Sequence, residues 1–173
     1  MPYNRIIIVG PPGSGKSYAA EKLSHKFQIP WFDLNEDGTD SDLFAQNKLM
    51  ADVLSRSSWI CEQVTPGPWR TIYQRADHIY LLIPSLWLRD TRILFRHWQK
   101  MRGISFRGHP PPTLRLLLRM LAINHRYHQR IFPALQTEII QSHRPTTVIF
   151  DNMDLLKHFS LARDKFSVLY RSR

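Results

Sequence analysis

The sequence predicts a three-layer α/β/α fold built on a five-stranded parallel sheet, and three observations carry that prediction. Short β-branched or aromatic runs alternate with longer helical patterns, an order that calls for right-handed crossovers and helices on both faces of the sheet. The first run ends in a glycine-rich loop that opens directly into a helix. No internal repeat, low-complexity tract or long linker interrupts the 173 residues, a length that suits one well-buried domain spanning 1–173.

The elements follow in order. "RIIIVG" (5–10) is a continuous apolar, β-branched run, which reads as a strand buried on both faces. "SGKSYAAEKLSHKF" (14–27) sets Tyr18, Leu23 and Phe27 among helix formers. "IPWFDL" (29–34) is a second strand, and "SDLFAQNKLMADVLSR" (41–56) a second helix with a Ser/Asp start. "SSWICEQ" (57–63) is a third strand, and "TPGPW" (65–69) a breaker cluster before a short helix through Arg75. "HIYLLI" (78–83) is a fourth strand stopped by Pro84, followed by a long basic helix from about Leu86 to Met101. "RGISFRGHPPP" (102–112) is a loop.

From Thr113 to about His143 the pattern is helical again, with Leu114, Leu117, Leu118 and Leu121 on one face and Pro133 kinking or splitting the run. "TTVIF" (146–150) is a fifth strand and "NMDLLKHF" (152–159) a final short helix. Beyond Ser160, "FSVLY" (166–170) fits either a last strand or a frayed end.

Composition narrows the chemistry. The single Cys61 cannot form an internal disulfide or a metal cluster, so a reducing cytoplasm is the simplest setting. The first apolar run leads into a glycine loop rather than a cleavage site, so no signal peptide is expected. The longest apolar stretch, "IYLLIPSLWL", is about half the roughly 20 residues a spanning helix needs, and no membrane partner is expected.

Net charge is +10 and uneven. Between Arg89 and Arg144 eleven basic residues face only Asp90 and Glu138. A phosphate-rich ligand or nucleic acid would use such a field, and a solubilising basic face is the plain alternative. Nothing in the sequence sets an oligomeric state.

The chemistry centres on "GPPGSGKSY". Gly10, Gly13, Gly15, Lys16 and Ser17 satisfy G-x-x-x-x-G-K-[ST], between a strand and a helix as the motif requires. The glycines let the backbone curl so that successive N–H groups aim at phosphate oxygens. Pro11 and Pro12 have no N–H, so the donors come from Gly13 onward. The helix start adds its positive dipole end, Lys16 a full charge, and Ser17 a hydroxyl for Mg²⁺. In an open parallel sheet ligands sit at the carboxyl ends of the strands, which puts the loop, Asp33, Glu62 and the start of the Leu86 helix on one rim.

With the loop, "WFD", "SSWICE" and "ADHIYLLIP…RDTRILFR" in view, the chain resembles the adenylate kinase-like group of small P-loop kinases. Within it, the likeness is to bacterial proteins named DNA topology modulation proteins. The likeness runs from about Arg5 to about Arg107. It implies a P-loop NTPase fold of the nucleotide-kinase kind, and phosphoryl transfer from ATP with Mg²⁺ to an unidentified acceptor.

By position, Gly10, Pro11, Pro12, Gly13, Ser14, Gly15, Lys16, Ser17 and Tyr18 would hold the nucleotide. Arg92 would lie against the adenine and Arg96 would reach the phosphates. Asp33 would bind the acceptor hydroxyl, and Glu62 would stand near the metal's water shell with Ser17. Lys16, Asp33, Arg92 and Arg96 would then be the catalytic set. Residues 101–113 would form a short lid, with Arg102 and Arg107 as its arginines. The chain departs from the pattern at Tyr18, where a Thr or Ser is common. It also departs at "CEQVT", which puts Gln63 where a glycine lets substrate approach, and at "LLIP", which lacks an acidic residue.

Arg89, Arg92, Arg96 and Lys100 fall within about 80° of arc, a basic side that would look at the phosphates. Arg115, Arg119, Arg126 and Arg130 share a second stripe, within about 60°. A polyanionic acceptor, a nucleic-acid backbone or plain solvent would each suit it. Three readings therefore stand: a small-molecule or nucleotide kinase, a nucleic-acid-associated P-loop ATPase or polynucleotide-end kinase, and a degenerate nucleotide-binding module. "EDGTD" (36–40) reads as a turn. The eight histidines have no metal spacing, and the tryptophans are mostly packing.

Overall fold

The structure, a computed structural model, describes residues 3–34, 43–64, 69–104 and 113–158, with backbone alone for 43–46. The proposed turn at 36–40, Arg107 with most of the lid, and the tail after Ser160 lie outside the described residues.

The strands are β1 (Arg5–Val9), β2 (Trp31–Asp33), β3 (Trp59–Gln63), β4 (His78–Leu82) and β5 (Thr146–Ile149). They form one sheet in the order β2-β3-β1-β4-β5, parallel throughout. The helices are α1 (Lys16–Phe27), α2 (Leu43–Ser55), α3 (Arg70–Arg75), α4 (Leu86–Met101), α5 (Leu114–Arg126) and α6 (Phe132–Ser142), and residues 152–158 form a last short helix.

β1 lies in the middle, which is why its sequence is apolar without alternation. Ile6, Ile7, Ile8 and Val9 are fully buried. Side chains of a strand alternate between faces, so these four serve two cores. Ile7 and Val9 join Trp59, Cys61, Ile79 and Leu81 under Ile72, Tyr73, Leu135 and Ile139. Ile6 and Ile8 join Ile60, Tyr80 and Leu82 under Ala19, Ala20, Leu23 and Leu155. Truncating one such isoleucine to alanine costs about 2–5 kcal/mol.

Asp77 sets the β1–β4 register. It accepts from the amides of Asn4 and Arg5, each at 3.0 Å, and from the Arg5 guanidinium at 2.7 Å. Burial pushes this carboxyl up, but the bonds from Arg5 and the two amides outweigh it and hold the pKa below the ordinary value.

The expected break near Pro133 takes a particular form. A π-helical turn, Tyr127–Ile131, separates α5 from α6, and the Phe132 amide donates to the Tyr127 carbonyl five residues back. Pro133 has no N–H for the Gln129 carbonyl and its ring crowds that position, so the chain widens just before it. The wide turn leaves Tyr127 fully buried.

Candidate active site

The phosphate loop joins β1 to α1. The Gly10 amide donates to the Gln63 carbonyl at 3.1 Å, which ties the loop's entry to β3. The Ser14 amide turns back to the Pro11 carbonyl at 3.2 Å, so it is used inside the loop and does not face a ligand as expected. Gly13 and Gly15 have φ of 75° and 92°, a region that any side chain strains to enter. At Gly13 there is also no room, since a Cβ would lie 2.5 Å from the Arg89 carbonyl oxygen. The Lys16, Ser17 and Tyr18 amides fall in the first turn of α1, where a helix supplies no acceptor, and the macrodipole is positive there.

Lys16 is 6% exposed, and its ammonium reaches the Pro11 carbonyl only at 3.5 Å. Burial lowers its pKa, while Glu62 and Asp33 act in the opposite sense. Those carboxylates are neighbours because β2 and β3 pair with Asp33 opposite Glu62. Glu62 is 1% exposed and hydrogen-bonds Ser17 and Asp33. Burial pushes its pKa up to about 7 against the pull of Lys16, with the Asp33 charge adding to the rise. Its Oε2 has no hydrogen-bond partner among the described residues. Arg96 is exposed on α4, and its charge is felt together with those of Asp33 and Glu62. Lys16, Ser17, Asp33, Glu62 and Arg96 thus form one cluster.

The four basic residues expected on one side of α4 divide. Arg96 looks toward the carboxylates. Arg92 donates to the Ser14 carbonyl at 3.0 Å, to the Gly13 carbonyl at 3.4 Å and to Asn152 Oδ1 at 3.4 Å, so it grips the back of the loop. Arg89 does not face the loop with its side chain, a correction to the expected stripe. It is 2% exposed and interacts with buried Tyr127, because the root of α4 is covered by α5 and the π turn. Its backbone packs on the loop at Gly13.

Gln63, also read as a change at the acceptor side, points away from Glu62. Adjacent strand residues face opposite sides of the sheet, and Gln63 Oε1 accepts from the Tyr73 hydroxyl at 2.8 Å in the core. Tyr18 is 47% exposed, with Lys22 near its ring. Arg102 lies over the Trp98 ring, 4.1 Å from the centroid, at the end of α4. Asn152 was not anticipated. It packs against Gly15 and meets Arg92, and its position just after β5 on the same rim was the available signal.

The sheet order, the loop and the helix it opens define a P-loop kinase fold. No family model and no curated protein matches the chain. Among solved structures it is similar to deoxyadenosine kinase from M. mycoides with bound dATP, at 13% identity and a TM-score of 0.55, covering 92% of this chain and 98% of that one. It is also similar to an uncharacterized protein from Eubacterium ventriosum ATCC 27560, at 13% identity and a TM-score of 0.53, covering 94% and 99%. A looser overlap, with a TM-score of 0.46 at 15% identity over 97% and 93%, is with shikimate kinase from Acinetobacter baumannii in complex with shikimate.

Among the described residues no helix is long and apolar enough to cross a membrane.

Proposed function

We propose that the protein is an ATP-dependent kinase that passes the γ-phosphate to a small hydroxyl- or monophosphate-bearing acceptor, with Mg²⁺. The observation that carries this reading is the convergence of buried Lys16 with Glu62, Asp33 and Arg96 at the mouth of the loop. Phosphoryl transfer is catalysed mainly by positioning and by neutralising charge, and these residue types do both. Lys16 and the first-turn amides of α1 bind the outer phosphates, and Arg96 closes on them from α4. Arg92 keeps the loop's carbonyls turned away from the anion and lies against the adenine. Asp33 holds the acceptor hydroxyl and takes its proton.

The donor set fits Mg²⁺. Ser17 offers a hydroxyl and Glu62 a buried oxygen with no other partner. No group of three or more His, Cys, Asp or Glu among the described residues forms an all-protein cage. Mg²⁺ prefers one or two carboxylates, with phosphate and water completing the shell, and when bound it supplies charge neutralisation between the phosphates. The segment likeness to the DNA topology modulation proteins supports the same assignment. Burial pushes the Cys61 thiol up, which suits an inert cysteine in a cytoplasmic protein.

The test is ADP formation from Mg-ATP across nucleosides, nucleoside monophosphates and polyols. One acceptor class should stimulate it, and Lys16→Ala should lower the rate by about 10²-fold or more. Absence of ADP with every acceptor sinks the reading and leaves the degenerate module.

A second reading, a nucleic-acid-associated ATPase or polynucleotide-end kinase, draws on Arg115, Arg119 and Arg126 of α5 and Arg130 of the π turn, all exposed. Replacing Arg126 and Arg130 with Gln should flatten the salt dependence of binding to single-stranded DNA by about two phosphate contacts. A gel shift unchanged by the double substitution removes it.

A further inference from the structure

A cavity of about 610 Å³ lies at the root of α4, bounded by the end of β4, the last turn of α5, the π turn and Phe150 beyond β5. No residue of the phosphate loop lines it. Arg89 does, and this arginine is 2% exposed with Nε and Nη1 lacking any hydrogen-bond partner among the described residues. A buried cation left in that condition is expensive unless an anion completes it. The adjacent carboxylate, Asp90, acts on Arg89 through its charge but spends its hydrogen bonds elsewhere. Its Oδ1 accepts from Asn124 Nδ2 at 2.6 Å, and its Oδ2 meets His125 Nε2 at 2.9 Å. The hydroxyl of Tyr127, which interacts with Arg89, and Asn124 Oδ1 are buried and unpartnered as well. Two arginine N–H groups that no described residue satisfies therefore belong to the wall of this cavity, and the Tyr127 phenol interacts with the same arginine. Exposed His128 stands on the cavity wall, and Ile83 and Phe150 give it apolar surface.

We infer that this cavity is a second site, separate from the phosphate loop, for a small organic anion whose oxyanion head pairs with Arg89 and whose apolar body lies on Ile83 and Phe150. The inference does not depend on the kinase reading. It does give the two sites a common wall, because the Arg89 carbonyl packs on Gly13. The nucleotide site has its own cation in Lys16, so Arg89 is free to serve this one.

The test is a titration of the full chain with benzoate and, separately, phenyl phosphate, followed by methyl NMR. Saturable shifts centred on Ile83 and Leu88 are expected for at least one probe, and the stronger one identifies the head group as carboxylate or phosphate. Arg89→Gln should weaken binding by about 10-fold or more, the usual loss of a hydrogen bond to a charged group. His128→Glu, at an exposed position on the cavity wall, should also weaken it several-fold, and it decides the matter if Arg89→Gln fails to fold. Shifts centred instead on Ala19 and Ala20 behind the phosphate loop, no saturation by either probe, or unchanged affinity in His128→Glu would each overturn the inference.

Discussion

Around the phosphate loop the walls are backbone, or side chains pinned to backbone: the Arg89 carbonyl against Gly13, Arg92 on the Gly13 and Ser14 carbonyls, Asn152 against Gly15. Around Asp33 and Glu62 the walls are charges, set by two strand ends, a lysine and an arginine. The loop half is held by packing, and at Gly10 and Gly13 an added Cβ would meet backbone carbonyls. The carboxylate half is held by electrostatics and answers to pH. The contrast teaches that the two halves of the proposed site rest on different kinds of force, and each can be disturbed alone.

The sharpest break of the loop half is Gly13→Ala. A left-handed φ costs an alanine about 1–2 kcal/mol, and the contact with the Arg89 carbonyl forces the backbone apart as well. Thermal unfolding should show a fall in Tm of about 8 °C, with loss of Mg-ADP binding by calorimetry. A Tm within about 2 °C of the parent's would show that the loop is not packed as rigidly as its contacts indicate.

The carboxylate half should respond next, through Glu62→Gln. Burial lifts the Glu62 pKa from 4.5 to about 7. The folded chain therefore holds this proton more tightly than the unfolded one. The stabilisation is fully present below about pH 4.5 and is lost as pH rises through about 7. The full effect is about 3 kcal/mol. Glu62→Gln should remove this fall, so the ligand-free variant gains stability over the parent at pH 8 while losing Mg²⁺-dependent nucleotide affinity. A pH series of unfolding curves, parallel for both proteins, would refute the assignment.

The smallest effect separates the two halves most finely. Gln63→Gly restores the glycine of the resembling kinases and leaves the Tyr73 hydroxyl unpaired in the core, at a cost of about 2 kcal/mol. Urea denaturation should show that loss without any gain in acceptor turnover, because the Gln63 side chain faces Tyr73 and not the site. Faster turnover in this variant would place Gln63 on the acceptor path after all.

The sequence alone determined the elements and the donor loop. The β1 run, the glycine spacing and the strand–helix alternation are local signals, and local sterics and the periodicities of strand and helix are enough to read them. The nearness of Asp33 and Glu62 was legible only as far as a shared rim. The raised pKa of Glu62 needed the β2–β3 register and the burial that the assembled sheet imposes.

The fates of the α4 arginines were not legible at all. Helical spacing puts Arg89, Arg92 and Arg96 on one side, but which of them meets solvent, the loop or the core depends on what covers that side. A π turn forced ahead of Pro133 carries Tyr127 over Arg89, and a turn after β5 brings Asn152 to Arg92. Burial and long-range pairing are properties of the assembled layers, so only the tertiary structure decided them.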